Sequence, residues 1–252
     1  MKAKKSFFKT LRAALSIKPR ISAVILAGGS STRFGGDLPK QFQTILDLPV
    51  VAYSLLAFEQ TKSIKEIIVV CREQDIPHYD AMAQTYGITK YKAAVTGGAT
   101  RQASSLAGVD ATDSRADYVL IHDGARPLIT PDDIEKIVEN TKKHRAACAA
   151  TPSRDTVKLA DSIGFISRTE DRRYVYLAAT PQGFYKPLLE ACAYSARKDG
   201  IEVTDDASLL EHYHYPVKLV DTGSENIKIT TPSDLVIAKA LLLSRKESEE
   251  QT

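Results

Sequence analysis

The run Leu26-Ala27-Gly28-Gly29-Ser30-Ser31-Thr32-Arg33-Phe34-Gly35-Gly36-Asp37-Leu38-Pro39-Lys40-Gln41 joins paired glycines to two cations. A glycine-rich loop directly after an apolar strand lets backbone N–H groups approach phosphate oxygens without side-chain obstruction. Arg33 supplies a planar, bidentate guanidinium and Lys40 a mobile point charge, and their spacing suits neutralisation of a triphosphate lying in the loop. The run matches neither the dinucleotide pattern G-x-G-x-x-G nor the P-loop G-x-x-x-x-G-K-[ST], so a different phosphate cradle is expected. Taken alone it also fits an ordinary glycine turn with two solvated cations.

A second chemical signal is His122-Asp123-Gly124-Ala125-Arg126-Pro127. Asp123 follows an apolar run, and a carboxylate at the carboxyl end of a parallel strand points into the crevice where ligands of open α/β sheets bind. Its oxygens suit Mg²⁺, which binds through a few carboxylates and substrate phosphates. His122 is expected to be a hydrogen-bonded structural residue, and Arg126 either to anchor the loop or to approach phosphate. Cys71, Cys148 and Cys192 lie in apolar stretches with no histidine at a recognised spacing, so covalent catalysis has little support. Their odd number and wide separation fit neither a disulfide framework nor a zinc site, which points to buried, reduced thiols and a cytoplasmic protein.

These residues need a scaffold, and 252 residues at 43% hydrophobic and 26% charged can bury a substantial core. From Ile21 onward short apolar runs alternate with helical stretches, the signature of βα units around a mostly parallel sheet. Strands are expected at Ile21 to Ala27, Ile64 to Cys71, Tyr91 to Val95, Tyr118 to Ile121, Ala146 to Ala150, Val217 to Val220 and Ile227 to Ile229. Helices are expected over 48–60, 101–109, 132–144, 187–197, 206–213 and 232–243. Between Pro152 and Arg173 polar and apolar residues alternate around Gly164, which predicts a β-arm leaving the main sheet. A lone hairpin buries too little to be stable, so this arm should pack against a second subunit.

Residues 21–244 thus form one domain, with a flexible tail over 245–252. Before Ile21 stand Lys2, Lys4, Lys5, Lys9, Arg12, Lys18 and Arg20 with no acidic residue; subtracting these seven charges from the net +3 leaves the remainder at −4. A basic face on the folded body is therefore not expected, and nucleic acid is an unsupported partner. The leader, residues 1–20, is expected to be a disordered arm, with a membrane-surface helix built on Phe7, Phe8, Leu11 and Leu15 as the other reading. No apolar run is long enough to span a bilayer, so a soluble protein without integral membrane association is expected.

In combination, L-A-G-G-x-x-x-R followed by P-K-Q, Gly97-Gly98-Ala99-Thr100-Arg101-Gln102-Ala103-Ser104, the His122–Pro127 run, Arg154-Asp155-Thr156, Thr180-Pro181-Gln182, Thr204-Asp205-Asp206-Ala207-Ser208 and Asn226-Ile227-Lys228-Ile229-Thr230 resemble the sugar- and polyol-phosphate cytidylyltransferases. The resemblance implies a Rossmann-like nucleotidyltransferase fold, a three-layer α/β sandwich with a mostly parallel sheet and a protruding β-arm. It implies CTP and a polyol phosphate as substrates, Mg²⁺ as cofactor, and a homodimer with exchanged arms. The acceptor it points to is methylerythritol phosphate, with ribitol 5-phosphate as the alternative and a catalytically silent nucleotide-binding protein as a third reading. Arg33, Lys40 and Lys228 would be catalytic; Ala27, Gly28, Gly29, Gly98, Ser104, Asp123 and Gly124 would bind the nucleotide, with Asp123 also holding the metal. Thr156, Arg172, Thr180, Thr204 and Lys228 would grip the acceptor, with Arg173 a rival to Arg172, and Thr156 and Arg172 would arrive on the partner's arm. Ala99 and Gly124 depart from the family's usual residues, which puts the detail of cytosine recognition in question.

Overall fold

The computed structural model of the chain describes residues 19–29, 34 and 38–250. The leader up to residue 18 and Arg33 lie outside the described residues.

Three β-rich runs form the middle of the sheet: β1 (Ile21–Leu26), β4 (Ile64–Cys71) and β6 (Tyr118–Asp123). Their residues are almost entirely buried, as expected for strands covered on both faces. β1 lies parallel to both others, β4 is flanked by parallel β5 (Tyr91–Thr96), and β7 (Ala146–Pro152) pairs in parallel with β11 (Lys218–Asp221). With β10 (Tyr176–Tyr185) between β7 and β6, the full order is β11-β7-β10-β6-β1-β4-β5. β10 is the exception in direction, antiparallel to both β6 and β7.

The expected strands omit β10, because Pro181 and Gly183 argue against a strand interior. The structure absorbs Pro181 in a register break between Ala178 and Gln182. Ile227–Ile229, expected as a strand, is not one: it is an extended loop joined to the sheet side by the Ile229 N–H to Ala125 carbonyl bond at 2.8 Å.

Helices cover both faces. On one, α1 (Val50–Gln60), α2 (Ile76–Thr85) and α4 (Pro131–His144) pack Leu55, Phe58, Tyr79, Ile134 and Ile137 against Ala23, Ile25, Ile67 and Leu120. On the other, α3 (Arg101–Asp110), α5 (Lys186–Asp199) and α6 (Asp206–His212) bring Val109, Leu189, Leu209 and Leu210 onto Val24, Val70 and Ile121. Gly108 lets α3 approach this closely: a Cβ there would penetrate Val24 Cγ1 and Val70 Cγ2. α2 escapes a sequence reading because its buried positions are only Tyr79, Met82 and Ala83, with Pro77 near its start. Thr100 caps α3 by accepting from the Ala103 N–H at 3.0 Å, and Thr130 caps α4 in the same way.

A small hairpin of β2 (Thr44–Ile45) and β3 (Leu48–Pro49) packs Ile45 with Val50, Leu128, Ile229 and Ala238 of the last helix, α7 (Pro232–Glu250). This helix runs seven residues beyond the expected end at Leu243. Arg245 explains the extension, since its guanidinium binds Glu225 at 2.7 Å and the Leu128 carbonyl at 2.9 Å. The arm is present as expected: β8 (Lys158–Ala160) and β9 (Ile166–Thr169) form a two-stranded hairpin turning through Gly164 at φ +91°. Ile163, Phe165, Ile166, Tyr174 and Leu177 on and beside it are all at least 60% exposed.

Candidate active site

A cleft of about 470 Å³ opens at the carboxyl ends of β1, β4, β5 and β6. β1 delivers Leu26 to Gly29, β4 delivers Val70, and the turn after β5 delivers Gly98, Ala99 and Thr100 before Arg101 and Ser104 on α3. β6 ends on Asp123, and Ala125 follows it. Lys40 and Gln41 enter from a short 3-10 turn that Pro39 introduces, and Phe34, Lys228 and Thr230 complete the wall. The first turn of α3 thus meets backbone glycines and cations in one place, an arrangement that favours anions.

Asp123 is the only carboxylate on this wall among the described residues, and three cations surround it. Lys228 Nζ is 2.8 Å from Oδ2, Arg126 Nε 3.6 Å from Oδ2, and Arg101 Nη2 3.7 Å from Oδ1. Burial alone would raise the Asp123 pKa, but Lys228, Arg101 and Arg126 together outweigh it and hold the carboxyl down to about 2. The carboxylate is therefore charged at neutral pH.

Beneath Asp123 lies a fixed set of hydrogen bonds. The Asp123 N–H donates to Thr180 Oγ1 at 3.0 Å, and that hydroxyl stands 3.0 Å from His122 Nδ1, whose other ring nitrogen faces the Arg126 carbonyl at 3.3 Å. One proton on Nε2 satisfies every partner, with the Thr180 hydroxyl donating to Nδ1. Complete burial pushes the His122 pKa down to about 4 and keeps the ring neutral. The Lys228 loop is anchored alongside. Arg126 Nη1 donates to the Asn226 carbonyl at 2.7 Å, Asn226 Nδ2 donates to the Thr180 carbonyl at 2.7 Å, and Asp234 accepts from the N–H groups of Thr230 and Thr231 at 2.8 Å.

Of the residues singled out from sequence, Ala27, Gly28, Gly29, Lys40, Gly98, Ser104, Asp123 and Lys228 come together on this wall. Gly124 does not line it; it is buried behind the loop with its N–H donating to the Leu26 carbonyl at 2.9 Å. Thr180 is also off the wall, its hydroxyl engaged under Asp123. Thr204 is exposed ahead of α6, and Thr156 and Arg172 are exposed on the arm, with Arg172 Nη1 donating to the Arg154 carbonyl at 3.2 Å. Arg101, Gln41 and Thr230 were not singled out. Arg101 lies within the Gly97–Ser104 run, but its ion-pair partner Asp206 is 105 residues away, a separation that carries no spacing signal.

The strand order, the helices on both faces and the phosphate-compatible cleft at the carboxyl edge define a Rossmann-like nucleotidyltransferase. Residues 21–244 match the model of the IspD, or 2-C-methyl-D-erythritol 4-phosphate cytidylyltransferase, family, and the chain belongs to that family. The 2-C-methyl-D-erythritol 4-phosphate cytidylyltransferase of Syntrophus aciditrophicus is 38% identical over 227 residues, covering 90% of this chain and 97% of the relative. That of Caldanaerobacter subterraneus is 40% identical over 224 residues, covering 88% and 98%. Among solved structures, the 4-diphosphocytidyl-2C-methyl-D-erythritol synthase of Anaerococcus prevotii superposes with a TM-score of 0.81 at 33% identity, covering 90% of this chain and 97% of the other.

Proposed function

We propose that this cytidylyltransferase carries out its reaction in the cleft around Asp123, joining CTP to 2-C-methyl-D-erythritol 4-phosphate to give 4-diphosphocytidyl-2-C-methyl-D-erythritol and pyrophosphate. The observation that carries the assignment of the site is the convergence of Lys40, Arg101 and Lys228 on one wall whose single carboxylate, among the described residues, is Asp123. An oxygen of the acceptor phosphate attacks the α-phosphorus of CTP. The bond from that phosphorus to the α,β-bridging oxygen breaks, and its electron pair leaves with pyrophosphate. A phosphate monoester, with a second pKa near 6, is largely dianionic at neutral pH and needs no general base. The protein offers little alternative: burial pushes the Cys71 and Cys148 thiols up to about 12, and His122 is enclosed and neutral. Catalysis then consists of aligning two polyanions and stabilising the charge that gathers on the departing pyrophosphate.

In this reading Lys40 and Arg33 face the triphosphate, with Gly28, Gly29 and Gly98 presenting backbone to it, while Ser104 meets the nucleoside. Lys228 receives the acceptor phosphate. Among the described residues no cluster of three or more His, Cys, Asp or Glu could cage a metal. A lone charged carboxylate beside a triphosphate site fits Mg²⁺, which takes one or two carboxylates and completes its shell with phosphate oxygens and water. Asp123 would hold it, and the ion would neutralise triphosphate charge.

The exposed apolar residues of the arm support a homodimer in which each arm covers its partner's cleft, carrying Thr156 and Arg172 to the acceptor. Three buried free cysteines fit the reducing cytoplasm. No described helix is long and apolar enough to cross a membrane. The deciding experiment is pyrophosphate release from CTP with each acceptor in turn. Release with methylerythritol phosphate and none with ribitol 5-phosphate is expected; the reverse preference would overturn the acceptor assignment.

A further inference from the structure

We propose that Asp206 is a positioning residue for the transfer, holding the Arg101 guanidinium open to the triphosphate and keeping it from closing fully onto Asp123. Arg101 is the first residue of α3 and Asp206 the first of α6, and their ion pair joins the two helix starts. Arg101 Nη1 is 2.8 Å from Asp206 Oδ2, whereas its Nη2 is 3.7 Å from Asp123 Oδ1. Arg101 lines the cleft and Asp206 does not. Asp206 is only 3% exposed, and its remaining hydrogen-bond partner is the buried Ser105 side chain, so it can reach substrate only through Arg101.

The carboxylate is also held from both sides along the chain. Asp205 caps α6 by accepting from the Ser208 N–H at 2.9 Å and receives Gln182 Nε2 at 2.7 Å; the Ala207 N–H donates to Gln182 Oε1 at 2.9 Å. Gln182 belongs to β10, so Asp206 is fixed to the sheet rather than to a loose loop. Three carboxylates, those of Asp206, Asp123 and Asp205, act on the one guanidinium, and the direct 2.8 Å contact to Asp206 dominates. Remove that charge and Asp123, already 3.7 Å away, is the nearest carboxylate left to Arg101, since Asp205 is engaged by Gln182 and Ser208. Arg101 then closes onto Asp123, taking a cation from the triphosphate and a carboxylate from the site together.

The proposal rests on the reading of the cleft as the CTP site, and the test separates the two. Arg101→Ala is expected to lower kcat with CTP; an unchanged kcat would overturn the cleft reading and this proposal with it. Asp206→Asn keeps the shape and an acceptor oxygen but removes the charge, and is expected to lower kcat about ten- to a hundredfold, the range for a hydrogen bond to a charged group. The effect on the KM for CTP should be smaller. In the Arg101→Ala background the same Asp206→Asn change is expected to alter kcat less than twofold. A folded Asp206→Asn enzyme with parental kcat, or a full loss persisting without Arg101, would overturn the proposal. If Asp206→Asn does not fold, Ser105→Ala loosens the carboxylate while leaving its charge; a several-fold loss of kcat that disappears in the Arg101→Ala background supports the proposal, and an unchanged kcat overturns it.

Discussion

Lys228 Nζ lies 2.8 Å from Asp123 Oδ2, joining the loop before the last helix to the end of β6 across 105 residues of chain. An ammonium bound to the site's carboxylate can pass to an incoming phosphate without leaving the cleft. Lys228→Ala is therefore expected to raise the KM for the acceptor at least tenfold while CTP binding changes little, as measured by initial rates and by calorimetric titration of CTP.

Asp123→Asn removes the negative charge that three cations surround. An amide is a poor ligand for a hard cation. The variant is expected to need several times more Mg²⁺ for half-maximal activity, and calorimetry is expected to show weaker Mg²⁺-dependent binding of CTP. An unchanged Mg²⁺ titration would reduce Asp123 to a residue that orders its neighbours.

Lys40→Ala and Arg33→Ala test the phosphate cradle. Contacts that tighten on a developing oxyanion are worth roughly 3 to 4 kcal/mol, or about two to three orders of magnitude in kcat. Each change is expected to lower kcat far more than it raises the KM for CTP. A pure KM effect would make these residues binding groups that hold ground state and transition state alike.

Mixing Lys40→Ala subunits with Arg172→Ala subunits tests the exchanged arms. If an arm completes its partner's site, a heterodimer contains one site free of both lesions and regains part of the parental rate. Verified heterodimers with no recovered activity would place Arg172 in its own subunit's chemistry or in none.

His122 gives the fold an acid limit. Burial lowers its pKa from 6.5 to about 4, so between those values the unfolded chain binds a proton that the native one refuses. Stability contributed by the neutral ring is present above pH 6.5 and is lost as pH falls toward 4, by about 3 kcal/mol if the full difference is realised. Urea denaturation of the parent across that range should show the decline, and His122→Gln should flatten it while starting from a lower plateau.

Much of the scaffold could be read from residue order because the signals are local. Ile64 to Cys71 is apolar enough to be a strand buried on both faces, and Pro131 marks the first turn of α4. β10 was illegible because its proline and glycine speak against a strand, and only pairing with β6 and β7 overrides them. The cleft wall was legible where motif residues follow a strand, as Gly28 does, or end one, as Asp123 does. The ties that set its geometry were not. Arg101 to Asp206, Arg126 to Asn226 and Thr180 to Asp123 each join segments dozens of residues apart, and neither propensity nor period encodes such contacts.

Pro152 and Tyr176 are register partners where β7 meets β10, so residues 153–175 leave the sheet and re-enter it at adjacent points. In topological terms the arm is a closed detour whose ends are set by the β7–β10 pairing and whose Arg154 reaches back to Ser224 at 3.1 Å. Its sequence can drift, lengthen or shorten without disturbing the packing around Ile25 and Leu120. A lineage could therefore revise the segment bearing Thr156 and Arg172 while inheriting the Asp123 cleft intact.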